Sequence, residues 1–239
     1  MKINVYDPVD DLVQKLADYF IERSRHAIYT HGRFSVALSG GSSPAKLYDL
    51  LASGAYRGRI DWNKTFFFFG DERYVPATDP ECNFLMLKET LFEPLNIDYR
   101  QVYGVDTTLP PNESAASYWQ DITDHFGVAE PRFDLVLLGL GSNAHTASLF
   151  PFTEIVHEQS PGVQAVFLPD QQVYRISFTA PLINSARHIA FLVYGDAKAE
   201  AVRDVLKGRQ DFDQFPAQLI KPVDGDLQWF LDAEAASLL

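Results

Sequence analysis

The sequence predicts an α/β fold: a mostly parallel central sheet flanked by helices on both faces, Rossmann-like in its layering. Three observations carry that reading. Short apolar runs alternate with stretches of helical periodicity along nearly the whole chain. One run, "TFFFFGDER", holds four consecutive phenylalanines, too apolar for a strand with a wet face, and points to a central strand of a parallel sheet. Four apolar runs end abruptly in polar or Gly-rich clusters, "SGGSSP", "GDER", "GLGSNAH" and "YGDAK". In open α/β sheets, ligands sit at such carboxyl ends of strands.

The elements follow in order. Asp7-Pro8 offers a cap residue and a proline for the first helical position, and Val9, Leu12, Val13, Leu16, Phe20 and Ile28 then keep helical spacing. "RFSVALSGG" is a strand ending in glycines; Ser43 is the expected cap of the next helix, with Pro44 in its first turn. Leu47, Leu50 and Leu51 mark that helix's apolar face, which stops near Gly54. After the phenylalanine strand come two helices, "NFLMLKETLF" and "SAASYWQDITDHF", and a third buried strand, "FDLVLLGLG". Beyond His145 the chain looks ready to start a helix. "AVFLP", "YRISFT" and "HIAFLVYG" are strands. "DAKAEAVRDVLKG" is a helix with Ala199, Val202, Val205 and Leu206 on one side and Gly208 after it. The tail, "LQWFLDAEAASLL", reads as a short strand running into a helix. The Pro-rich pieces near Pro110 and Pro161 are short, so residues 1–239 are read as one domain.

Hydrophobic residues make up 46% of the chain, with 18 Phe and 11 Tyr, enough for a sizeable core. A net charge of −12 repels a phosphate backbone at long range and argues against nucleic acid as a partner. An anionic small ligand would need a local basic pocket. The single cysteine, Cys82, is expected to be a small packed residue in a helix. The N-terminus has no signal-peptide pattern, and no apolar run approaches the roughly 20 residues that span a bilayer. A cytoplasmic protein with no membrane partner is expected, as a monomer or at most a weak dimer. No histidine or cysteine spacing suits a transition metal, and there is no G-x-S-x-G elbow.

Each candidate site residue has a plainer reading beside the functional one. Gly40 and Gly41 let the backbone turn sharply, while Ser42 and Ser43 open a helix whose N-terminus favours a phosphate; an ordinary strand-to-helix turn would look alike. Asp71 suits acid/base work or the orienting of a ligand hydroxyl, and Arg73 suits an anion; a local ion pair closing the sheet edge is the alternative. His145 has the right chemistry to activate water and return the proton, or it is a satisfied buried histidine. His26, His31, His125, His157 and His188 are read as surface residues. Arg175 and Lys198 are either anion ligands or solvated charges. Their coincidence at strand ends favours one pocket for an anionic ligand.

The segments "ALSGGSSPAKLYDLL", "FFFGDERYVP" with "DPECNF", "FDLVLLGLGSNAHTASLFP", "FLVYGDAKAEAV" and the tail "PAQLIKPVDGDLQWFLDAEAA" resemble the 6-phosphogluconolactonase family in order and spacing. That family is similar in fold to the glucosamine-6-phosphate deaminases, which usually carry Asp-Glu-Tyr where this chain has "GDER". The resemblance implies hydrolysis of 6-phosphoglucono-1,5-lactone in the pentose phosphate pathway, a phosphorylated sugar lactone as partner, and no metal or organic cofactor. By matching position it makes His145 the general base that later protonates the ring oxygen. It gives Gly41, Ser42 and Ser43 to the phosphate with Arg175 and Lys198, and Asp71 and Arg73 to the sugar. One departure stands out: Asn143-Ala144 replaces the family's Asp-Gly. Asn143 can accept a hydrogen bond from the imidazole but cannot stabilise an imidazolium by charge, which implies a weaker base. If the family's glycine takes a positive φ, Ala144 costs about 1 kcal/mol there. A deaminase-like enzyme and a catalytically weak sugar-phosphate-binding protein remain as alternatives.

Overall fold

The structure is a computed structural model and describes residues 1–239. In chain order its main elements are β1 (Lys2–Val5), α1 (Val9–His31), β2 (Phe34–Leu38), α2 (Ser42–Ala52), β3 (Thr65–Phe69), β4 (Asp71–Arg73) and α3 (Asn83–Leu87). A π turn, Lys88–Phe92, carries α3 into α4 (Glu93–Leu95), and α5 (Pro111–Phe126), β5 (Leu135–Leu138), β6 (Val163–Leu168) and β7 (Val173–Phe178) follow. The chain ends with α6 (Ala180–Asn184), β8 (His188–Val193), α7 (Ala199–Lys207) and β9 (Asp226–Leu231).

Six strands form one parallel sheet in the order β1-β9-β8-β5-β2-β3. Side chains alternate across its two faces. Phe67, Phe69, Leu135 and Leu137 pack with α1 and α2, whereas Phe68, Val136 and Leu138 pack with α5, α6 and α7. The expected α/β layering with helices on both faces is therefore present.

Several expectations need correction. β3 is an edge strand, not a central one. Phe67, Phe68 and Phe69 are nevertheless buried, and Phe66 half-buried, because other segments cover the edge: Val102 bridges Phe67, and the Tyr118 hydroxyl takes up the Phe69 backbone. A second sheet, antiparallel in the order β4-β7-β6, packs beside the first. The four residues joining β6 to β7 are too few for the parallel crossover of a dozen or so residues that one sheet would need, so these strands form a hairpin. The tail beyond β9 is a series of turns, not a helix, and so is the stretch after His145. Pro8, not Asp7, occupies the N-cap of α1. Gly41, not Ser43, occupies that of α2. Cys82 is buried but precedes α3 rather than lying in it.

Two of the five histidines read as surface residues, His125 and His188, are half-buried instead, while His26, His31 and His157 are exposed as expected. His125 is half-buried among Phe66, Phe68, Tyr103 and Phe126, with Nε2 2.8 Å from Ser35 Oγ. His188 opens β8 against the Tyr19 ring, and burial pushes its imidazole down to about 4. The exposed His31 still reaches the buried Asp134 carboxylate, with Nε2 at 2.9 Å. His125 and His188 lie on a helix and a strand whose periodicity looks amphipathic, so only packing reveals their burial.

Candidate active site

The carboxyl ends of β2, β5 and β8, together with β4 and β7 of the small sheet, surround a cavity of about 400 Å³. Its lining contains Gly40, Gly41, Ser42, Ser43, Asp71, Arg73, His145, Arg175 and Lys198. Of the candidate residues only Asn143 lies outside this lining, and it is bonded to one that lies inside.

The turn after β2 depends on its glycines. Gly41 adopts φ 103°, a conformation that L side chains avoid. A Cβ on Gly40 would fall 1.7 Å from Asn83 Oδ1. The Asn83 amide is fixed by donating to the Asp71 carbonyl at 2.9 Å, so it cannot yield. No side chain caps α2, which leaves its first N–H groups turned toward the cavity end with the helix's partial positive charge.

β4 and β7 contribute the charges. In their antiparallel register Arg73 stands directly opposite Arg175. Like charges so paired repel, an arrangement that an anion between them would relieve. Arg73 Nη1 donates to the Glu81 carbonyl at 2.9 Å, and Arg175 donates weakly to Gln171 Oε1 at 3.4 Å. Burial and the neighbouring Arg73 charge lower the Arg175 pKa, and burial lowers that of Lys198. None of the three cations forms an ion pair with a carboxylate.

Asp71 is the only acid in the lining. It accepts from Ser148 Oγ at 2.7 Å. Burial raises its pKa, against the opposing pull of the Ser148 hydrogen bond, Arg73 and Arg175. The adjacent Glu72 turns away from the cavity. Its carboxylate accepts backbone N–H groups of Arg73 (2.8 Å), Asn83 (2.7 Å) and Phe84 (2.9 Å), tying β4 to the start of α3. The sheet-edge ion pair considered from the sequence is thus replaced by a carboxylate clamped on main-chain donors.

His145 sits in a loop shaped by strained residues. Ala144 takes φ 62° and Ala147 φ 47°, the left-handed region. The loop closes through Ala144 N–H to the Gly141 carbonyl at 2.9 Å and Gly141 N–H to the His145 carbonyl at 2.8 Å. A Cβ on Gly141 would lie 2.1 Å from His145 Nδ1, so only glycine lets the ring fold back over its own loop. The ring stacks on Phe150 at 4.1 Å between centroids. Asn143 Oδ1 lies 2.5 Å from Nδ1; with that oxygen accepting from Nδ1–H, the free lone pair is on Nε2. Burial first, then the charges of Lys198, Arg175 and Arg73, push the imidazole down to about 4.

Sequence reasoning missed Asn83, Ser148, Phe150 and Gln171. Phe150 had a signal in its proximity to His145. The other three are ordinary polar residues whose roles arise only when distant segments meet.

The arrangement offers anion ligands, a neutral imidazole with an open lone pair and a buried carboxylate around one cavity. A profile of "Glucosamine-6-phosphate isomerases/6-phosphogluconolactonase" matches residues 7–229. A protein of Nostoc sp. named 6-phosphogluconolactonase is 37% identical, the alignment covering 95% of this chain and 94% of that protein. A rice protein named probable 6-phosphogluconolactonase 2 is 34% identical over 100% of this chain and 90% of its own. The solved 6-phosphogluconolactonase of Trypanosoma cruzi superposes with a TM-score of 0.89 at 29% identity, covering 100% of this chain and 96% of that one. A solved monomeric glucosamine-6-phosphate deaminase superposes with a TM-score of 0.85 at 21% identity over 100% of both chains, which shows a common fold. By the profile match and these relatives, the chain belongs to the glucosamine-6-phosphate isomerase/6-phosphogluconolactonase family.

Proposed function

We propose that this chain hydrolyses 6-phosphoglucono-1,5-lactone to 6-phosphogluconate. The observation that carries the reading is the convergence of Arg73, Arg175 and Lys198, all without carboxylate partners, on a cavity that also holds the His145 ring. The names of the full-length relatives support the same substrate.

In this reading the phosphate lies on the uncapped turn of Gly41, Ser42 and Ser43, held by Arg175 and Lys198. The sugar hydroxyls face Asp71, which Ser148 keeps oriented. His145 Nε2 accepts a proton from water as the water oxygen bonds to the lactone carbonyl carbon. Negative charge gathers on the former carbonyl oxygen, within the field of Arg73. The carbonyl then reforms, the bond from its carbon to the ring oxygen breaks, and the imidazolium protonates that oxygen. The new carboxylic acid loses its proton to solvent. Asn143 holds the ring in the tautomer that this sequence requires.

The test is acid release from freshly made 6-phosphoglucono-1,5-lactone, corrected for spontaneous opening. Wild-type protein should accelerate it, and His145→Ala should lower kcat by about a hundredfold or more. Saturable 6-phosphogluconate binding without acceleration would leave only a binding protein. Ammonia release from glucosamine 6-phosphate would move the assignment to the deaminases.

A further inference from the structure

The cations that make the cavity attractive to a phosphate also oppose protonation of its base. Charged groups reach the His145 ring from three elements: Arg73 on β4, Arg175 on β7 and Lys198 just before α7. Its own loop supplies only Asn143 and Phe150, both uncharged. Asp71, the one acid of the lining, is already engaged by Ser148. Phe150 stacks on one face of the ring and shields that face from water. Burial and these cations together hold the imidazole well below its usual range, which makes it a weak base. A base works best when its proton affinity matches the working pH.

A dianion on Arg175 and Lys198 cancels two of those three charges. The repulsion between Arg73 and Arg175, register partners on adjacent strands, falls at the same time. We propose that an anion seated on Arg175 and Lys198 is the switch that makes His145 a working base, so that the ligand's phosphate contributes to the chemical step as well as to binding. The inference rests on the lactonase reading for its substrate, but the coupling between anion and imidazole can be measured without turnover.

The first measurement is the NMR titration of the His145 ring with and without saturating sulfate, a dianion across the whole range. The expected result is an upward shift of at least about one unit, a tenfold gain in proton affinity. Lys198→Met keeps the apolar stem. It should raise the titration point without sulfate and shrink the sulfate-induced shift. The second measurement compares 6-phosphoglucono-1,5-lactone with unphosphorylated glucono-1,5-lactone. The latter should lose kcat by about tenfold or more, and saturating sulfate should restore part of it. A His145 titration that ignores bound sulfate overturns the inference, as does a cavity that takes up no sulfate. So does a loss confined to KM. If the titration moves but the phosphorylated lactone is not hydrolysed, the coupling stands and the lactonase reading falls.

Discussion

Ala144 holds φ at 62° with its methyl group buried, and two small energies oppose each other there. Relief of left-handed strain by glycine is worth about 1 kcal/mol. Losing a buried methyl costs about 0.8 kcal/mol. The substitution that the resemblance flags as costly is therefore close to neutral in stability, and any penalty falls on chemistry through Asn143. A carboxylate at 143 would favour the imidazolium and raise the proton affinity of His145. Asn143→Asp with Ala144→Gly should move the acid limb of the kcat–pH profile to higher pH and raise the plateau, with an unchanged urea midpoint. A profile that stays in place would show that the ring takes its basicity from elsewhere. His145, Asp71, Arg73, Arg175 and Lys198 were legible because each interrupts an apolar run or lies in the polar or Gly-rich cluster that ends one. Ser148 and Asn83 were not, because a loop hydroxyl and an amide at the start of a helix carry no signal until a distant partner arrives.

Among the elements, the strand ends that shape the site are finished by side chains rather than by other strands. The Tyr48 hydroxyl accepts from Ser39 N–H at 3.2 Å and donates to the Ser39 carbonyl at 2.8 Å. Tyr118 does the same for Phe69, at 2.7 and 3.1 Å. Both tyrosines are buried, and each holds the backbone just before a glycine, Gly40 of the cavity turn or Gly70 between the two sheets. Tyr48→Phe and Tyr118→Phe each leave a buried N–H and C=O without a partner, which should cost about 2–4 kcal/mol in urea unfolding. Tyr48→Phe should also raise KM, because Ser39 leads into Gly40 and Gly41. A loss below about 0.5 kcal/mol would mean water substitutes for the hydroxyl. Glu72 is the corresponding clamp at β4. Glu72→Ala orphans three backbone N–H groups and should cost about 3 kcal/mol or more. Burial raises the Glu72 pKa from 4.5 to about 7, so the native state keeps this proton where the unfolded chain has released it. Stability from Glu72 therefore falls as pH rises between those values, and the difference between wild type and Glu72→Ala should narrow over that window. Nothing in the sequence singles out either tyrosine for this role. Periodicity reports which face is buried but not which backbone group waits there. The same limit explains β3: four phenylalanines report burial on both faces, whether the neighbour is a strand or a tyrosine.

For the molecule as a whole, the question is whether the two sheets behave as one unit. Order and type of most elements were legible because strand–helix alternation is a local signal. The division into two sheets was not, since register and pairing depend on contacts distant in sequence. Only the short β6–β7 connection hinted at it. Gly70 alone separates β3 in the large sheet from β4 in the small one. Ile176 and Phe178 of the small sheet pack in the same cluster as Val136 and Phe191 of the large one. The cavity takes its walls from both. With one apolar cluster shared by both sheets, calorimetry should find one cooperative transition. A ligand that bridges Arg175 of the small sheet and the α2 turn of the large one should then move that whole transition. At a concentration a hundred times its Kd, 6-phosphogluconate contributes about 2.7 kcal/mol. For a chain of this size each 1 kcal/mol raises Tm by about 2–4 °C, so a shift of about 5–10 °C is expected. Arg175→Met should abolish most of it while leaving a single transition. Two transitions, with only one responding to 6-phosphogluconate, would show instead that the sheets unfold separately and that the anion is held by one of them alone.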